Sequence, residues 1–176
     1  MIRFILVSVA FILSAPLFSQ TMPKFELTKN GFEPIVISVD STSAPVIYKK
    51  VNNWVQTYYK NPREVLKGNI ENEEIRLEAV ILNAFKLKIA FSNFNYNLWY
   101  SLTIQIKDNK IRVSIIENKV TLTDGTRWAG TLGTFFDNDG NIKTKNIEQK
   151  EEVEKAINSI LNSLSNYINN KNKVEW

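Results

Sequence analysis

The chain contains neither histidine nor cysteine. That removes Ser-His-Asp and Cys-His nucleophile systems, thiolate zinc sites and imidazole metal sites. Acid–base work is left to carboxylates, lysine and tyrosine. Two carboxylate pairs are adjacent in sequence, Glu73-Glu74 and Glu151-Glu152. Neighbours on a strand point to opposite faces, so the first pair cannot act together. The second pair falls in the opening turn of a helix, where acids complement the dipole. Both read as solvated charge, and no catalytic residue is assigned. DNDGN, Asp137 to Asn141, matches a calcium loop only in part. With Gly140 at the sixth position, the first falls on Phe135 and the twelfth on Asn146. Two principal ligands are then missing, and a D-G hairpin turn explains the same residues. No GxSxG, P-loop or dinucleotide glycine pattern occurs, so the expectation is no metal and no cofactor.

Aromatic residues are the remaining groups with recognition chemistry. In APVIYKKVNNWVQTYYKNP, Ala44 to Pro62, one tryptophan and three tyrosines cluster. Trp54 and Tyr58 lie on a stripe with Ile47, Val51 and Val55 at helical spacing, and Tyr48 and Tyr59 flank it. Such a stripe reads as the buried side of a helix, each ring worth roughly 2–3 kcal/mol on burial. Trp99 differs. Its neighbours by strand parity are Asn97, Ser101, Thr103, Gln105 and Lys107, with Arg112 and Ser114 expected on the same side. A tryptophan on a polar strand face marks a contact surface, unless the N-terminal arm or the segment from Asp124 to Lys145 covers it. Trp99 and Arg112 are therefore the candidate partner-contact residues.

Several elements must position these groups. PIVISVD alternates as a strand. Asp40 to Ser43 offers helix caps ahead of Pro45, which suits a first turn, and Asn61-Pro62 ends the helix. EVLKGNI reads as a short strand with a bulge at Gly68. From Ile75 to Phe91 the odd positions are mostly apolar, with a bend at Asn83. SNFNYN reads as a turn, and YNLWYSLTIQIK alternates again. Asp108-Asn109 makes a tight turn into KIRVSIIENKVTLT, whose apolar parity reverses, placing a bulge near Ile115 or Ile116. Residues Asp124 to Lys145 read as a long polar connection with a hairpin at Asn138 to Asn141. Val153, Ile157, Ile160, Leu161, Leu164 and Ile168 form the stripe of a final helix, with acids at its start and Lys171 and Lys173 near its end.

The order β-α-β-β-β-β-α, with each helix apolar on one side, predicts an α+β two-layer sandwich with both helices on one face of an antiparallel sheet. In 176 residues the divisions are a signal peptide over 1–19, an irregular N-terminal arm over 20–33, a single α+β domain over 34–170, and a frayed tail over 171–176. The leader carries Arg3, an apolar run from Phe4 to Leu13, and small residues up to Ser19. This is the layout of an export signal, and the run is too short to span a bilayer unaided. With Arg3 removed, 21 basic residues face 18 acidic ones, a net +3 with the signs interleaved. A nucleic-acid protein would show a basic stripe, so no nucleic-acid partner is expected, and no stable membrane span after cleavage. About 155 residues can bury a core without disulfides.

The IVISVD strand, the spacing of Tyr48 and Trp54 in the first helix, and the run of strands to a C-terminal amphipathic helix resemble an uncharacterised family. It is a domain of unknown function with a TATA-binding-protein-like (TBP-like) fold, found in exported bacterial proteins. The resemblance spans Pro34 to Ile168 in element order and departs in the third strand, where EEIRLEAV replaces the glycine and lysine common in the family. It implies the fold and export, periplasmic or extracellular, and no activity. The function expected is a non-catalytic interaction module of the cell envelope, binding an unknown protein or envelope component. A carrier of a small apolar ligand between helices and sheet is the alternative, and an enzyme without histidine or cysteine chemistry the third reading.

Overall fold

The computed structural model describes residues 22–169. The expected signal peptide and the tail from 171 lie outside them. Five strands form one antiparallel sheet: β3 (Ile35–Ser38), β4 (Leu66–Ile70), β5 (Glu74–Ile89), β6 (Ser92–Lys107) and β7 (Lys110–Leu122), in the order β3-β7-β6-β5-β4. Helices α1 (Ala44–Tyr58) and α3 (Ile147–Ile168) pack on one face, with a single turn, α2 (Pro62–Val65), leading into β4. This is the α+β two-layer sandwich that the patterning predicts.

Alternation explains the layers. Leu98, Tyr100, Leu102, Ile104 and Ile106 of β6 point into the core beside Ile111, Val113 and Ile115 of β7 and Ile75 and Leu77 of β5. From the helix side Ile47, Val51, Trp54 and Val55 meet Val153, Ile157, Leu161 and Leu164. The helices' polar sides face water, and among the described residues neither α1 nor α3 lies on the second face of the sheet, which α2 only borders through Glu64 and Val65.

Two local devices fall where the sequence places them. The β4–β5 register shifts between Leu66 and Gly68, and β5 bends at Asn83, whose φ is +53°. Asn83 can hold this left-handed conformation because its N–H is accepted by Asn97 Oδ1 at 2.9 Å. The Asp137–Asn141 turn also forms. Asp137 Oδ1 accepts the N–H groups of Asp139 and Asn141, both at 2.9 Å, which holds its carboxyl below the usual carboxylate range.

Other expectations are corrected. The arm is not irregular: β1 (Leu27–Thr28) and β2 (Gly31–Phe32) form a small hairpin. Asn158 of α3 accepts the Phe25 N–H at 2.8 Å and donates to the Phe25 carbonyl at 2.9 Å, while Glu154 accepts the Leu27 N–H at 2.7 Å. Two-residue strands are too short to show alternation, and the side chains that hold the Phe25 and Leu27 backbone are 133 and 127 positions away. SNFNYN is not a turn but the start of β6, and the chain reverses at Ala90-Phe91 instead. The β7 bulge is not at Ile115 or Ile116. Those two simply alternate sides, and the extra residue is Asn118, between Glu117 opposite Tyr100 and Lys119 opposite Trp99. The start of α1 is capped from elsewhere: Ser43 makes no side-chain cap, and Asp108 Oδ1 in the β6–β7 turn accepts the Ala44 N–H at 2.7 Å. The connection from Asp124 to Lys145 is not merely polar, since Leu132, Phe135 and Phe136 are buried.

Candidate functional site on the open sheet face

Trp99 sits on β6 between Val80 of β5 and Lys119 of β7. Both neighbouring strands are irregular here, at the Asn83 bend and the Asn118 bulge. Such irregularities re-aim side chains, and they frame this ring. Trp99 Nε1 donates to Thr121 Oγ1 at 3.3 Å, and Lys119 Nζ lies 4.6 Å from the ring centroid, a cation–π distance. Trp99 remains 38 % exposed, so it is not fully covered. It borders a concavity of about 710 Å³ that Tyr59, Glu64, Val80, Leu82 and Lys119 help to line.

Arg112 lies on the same face but in a different place. It is paired across the strands with Gln105 and Val36. Gln105 is six positions along β6 from Trp99, so the two candidates stand about 20 Å apart at 3.3 Å per residue. Arg112 lines its own concavity, about 670 Å³, with Val36, Ile70, Glu74, Gln105 and Lys110. Glu74 pairs with Arg76 at 3.1 Å and accepts from Gln105 Nε2 at 3.4 Å. Among the described residues, no carboxylate stands within ion-pair distance of Arg112. The structure thus places both residues on the open face but does not bring them together.

The ring cluster of α1 belongs to the core. Trp54 is 1 % exposed, donates from Nε1 to Ser163 Oγ at 3.1 Å, stacks on Tyr58 at 5.0 Å and meets Tyr59 edge-on at 5.7 Å. The Tyr59 and Tyr100 hydroxyls are 3.1 Å apart. Burial pushes Tyr100 up to about 12, and burial together with the nearby Tyr100 pushes Tyr59 higher. Both hydroxyls stay protonated near neutral pH. Tyr58 is more exposed than the stripe predicts, at the rim of the helix. A second cluster, Phe85, Tyr96, Trp128 and Phe135, was not legible as a unit. Phe85 stacks on Tyr96 at 5.1 Å and meets Phe135 edge-on at 5.4 Å.

The carboxylates do structural work. Glu152 is not free in solvent: it accepts the Lys86 N–H at 2.8 Å, covering part of the free edge of β5. Glu117 accepts the Leu132 N–H at 2.9 Å, and its burial raises its carboxyl above the usual range against that hydrogen bond. Among the described residues, no cluster of three or more aspartates or glutamates could hold a metal ion, and no helix is long and apolar enough to cross a membrane.

A five-stranded antiparallel sheet with its two long helices on one face is the arrangement to compare with known proteins. Residues 35–119 match the family model of the domain of unknown function DUF4468, with TBP-like fold. This DUF4468 match covers β3 to the Asn118 bulge, including Trp99 and Arg112. A crystal structure of a DUF4468 family protein from Bacteroides ovatus superposes with a TM-score of 0.56 at 13 % identity, covering 77 % of this chain and 84 % of that one. A TBP-like protein from Parabacteroides distasonis gives a TM-score of 0.51 at 14 % identity, covering 77 % and 92 %. At these identities the likeness establishes the fold alone. No curated protein matches.

Proposed function

We propose that this protein is an exported, non-catalytic binding module of the cell envelope whose contact surface is the open sheet face around Trp99. One observation carries the reading: a tryptophan 38 % exposed, beside a concavity, on the sheet face opposite α1 and α3. Aromatic anchors rimmed by polar groups are what recognition surfaces present. The lysine over the ring and the Thr121 hydroxyl hold the indole in place before binding, which lowers the ordering cost.

The test is Trp99→Ser, with Arg112→Ala as a second variant, each used as bait in envelope extract beside the wild type. Trp99→Ser is expected to stay folded, with unfolding stability within about 1 kcal/mol because the ring is partly exposed, and to lose the captured partner. Retention of the partner, or loss of the folded state, overturns this surface as the contact site. Retention with Trp99→Ser and loss with Arg112→Ala would move the site to the second concavity.

Export rests on the leader sequence. N-terminal sequencing of protein from native cells is expected to start near Gln20. An intact Met1 on soluble cytoplasmic protein overturns the envelope reading.

One interior gap speaks against the carrier alternative. The gap between α3 and the sheet, lined by Phe25, Leu102, Val113, Ile157 and Leu161, has no room for a water molecule (0 Å³). For an enzyme, the Tyr59–Tyr100 hydroxyl pair is in the wrong protonation state to act as a base near neutral pH.

A further inference from the structure

We propose that the tip of the β5–β6 hairpin docks the protein on an anionic phospholipid surface, with Phe91 entering the boundary between head groups and acyl chains. The hairpin outruns its neighbours. β4 leaves β5 at the Leu66–Leu77 pair and β7 leaves β6 at the Tyr96–Leu122 pair, while β5 and β6 stay paired out to Ile89 and Ser92. What projects is a two-stranded ribbon closed by Ala90-Phe91. Phe91 is 101 % exposed, Ile89 54 % and Phe94 37 %. Ala90 holds the reversal at a φ of +54°, a conformation that non-glycine residues seldom adopt and that holds Phe91 at the turn.

The ribbon is two-sided. Directly paired residues share a face, so Leu87 with Phe94, and Ile89 with Ser92, make one side; Lys86 with Asn95, and Lys88 with Asn93, make the other. Across a groove beside Leu87 and Ile89 stand Lys143 and Lys145. The groove also holds Glu148, and Glu152 stands 3.9 Å from Lys86 Nζ. Four lysines, Lys86, Lys88, Lys143 and Lys145, thus stand with these two carboxylates beside the ribbon, which favours an anionic surface. Lys88 is paired with Asn93, two residues past Phe91, and so stands about 7 Å back along the ribbon. That is close to the depth of about 5–10 Å to which interfacial apolar groups sink, leaving lysine ammonium groups among the head groups. The shape favours lipid over protein: the tip is convex, and a fluid interface receives a protruding ring without a matching pocket.

The experiment is co-sedimentation of the processed protein with vesicles of phosphatidylcholine alone and of phosphatidylcholine with phosphatidylglycerol, beside Phe91→Ser, Lys88→Glu and Trp99→Ser. The expected result is binding to the anionic vesicles that weakens with salt, falls about tenfold in Phe91→Ser and Lys88→Glu, and is unchanged in Trp99→Ser. Because Phe91 is fully exposed, Phe91→Ser should melt as the wild type does, separating lost docking from lost folding. Absence of wild-type binding, or equal binding by wild type and Phe91→Ser, overturns the proposal. A wild-type dimer that Phe91→Ser converts to monomer, without vesicle binding, also overturns it and assigns the tip to a second copy of the chain. Unchanged docking by Trp99→Ser leaves the open-face reading to its own test.

Discussion

Trp54→Ala is expected to destabilise the fold by about 3–5 kcal/mol, the usual cost of emptying a large aromatic site in a packed interior. The indole is 1 % exposed and lies between the two helices and the sheet. Its removal leaves a cavity, takes away the stacking partner of Tyr58 at 5.0 Å and the edge partner of Tyr59 at 5.7 Å, and frees the Ser163 hydroxyl from its bond with Nε1. Trp54→Phe should recover part of the loss, since it refills most of the volume without the indole N–H. Urea unfolding of the three proteins measures this. A loss below about 1 kcal/mol for the alanine variant would mean that the site collapses or that the ring contributes little, against the packing described. Because the ring is core, the same substitution is no test of binding; Trp99 serves that purpose.

Raising the pH from 10 to 12 is expected to remove about 2 kcal/mol of stability through Tyr100 alone, and more once Tyr59 is added. The two hydroxyls are 3.1 Å apart with most of both side chains buried. Burial lifts Tyr100 from 10.0 to about 12, and Tyr59 is lifted further by burial and by its neighbour Tyr100. In the unfolded chain both ionise near 10, whereas the folded chain keeps its protons until the raised values are reached. Between those values the folded state binds more protons, so stability falls as pH rises, by about 1.4 kcal/mol for each pH unit and group. The contribution is complete below pH 10 and lost through the folded values. Urea midpoints at pH 9, 10 and 11 give the slope. The Tyr59→Phe, Tyr100→Phe double variant removes both titrating groups and should flatten it. An equally steep decline in that variant would assign the alkaline loss to other groups.

Much of the architecture is readable from side-chain periodicity. Ile47, Val51, Trp54 and Val55 recur at the helical period and are buried; Leu98 to Ile106 recur at the strand period and face the core. These patterns are legible because a half-buried element needs its apolar residues on one side, whatever its partner is. Turn chemistry is equally local at Asp137, which satisfies backbone N–H groups only two and four residues ahead. The polar side of Trp99 also follows from parity alone.

What stayed hidden depends on groups distant in sequence. The arm reads as irregular because Asn158 and Glu154, more than a hundred residues away, satisfy its backbone. The cap of α1 comes from Asp108 across a strand turn, not from the serines and threonine beside it. Phe135 and Trp128 look like parts of a polar connection until Phe85 and Tyr96 are brought against them. Sequence points to Ile115 or Ile116 rather than Asn118 for the bulge because both isoleucines are apolar, and only pairing with β6 shows that Ile116 faces out.

The candidate surfaces divide in the same way. Composition excludes histidine and cysteine chemistry, and parity assigns Trp99 and Arg112 to one face, because both depend only on residue identity and the two-residue repeat of a strand. The separation of those residues along the sheet, the packing of α1 and α3 on the opposite face, and the projection of Phe91 beyond its neighbours were decided by the tertiary structure. Each depends on where adjacent strands end and where helices pack, and those limits are set by long-range pairing that no short window of sequence contains.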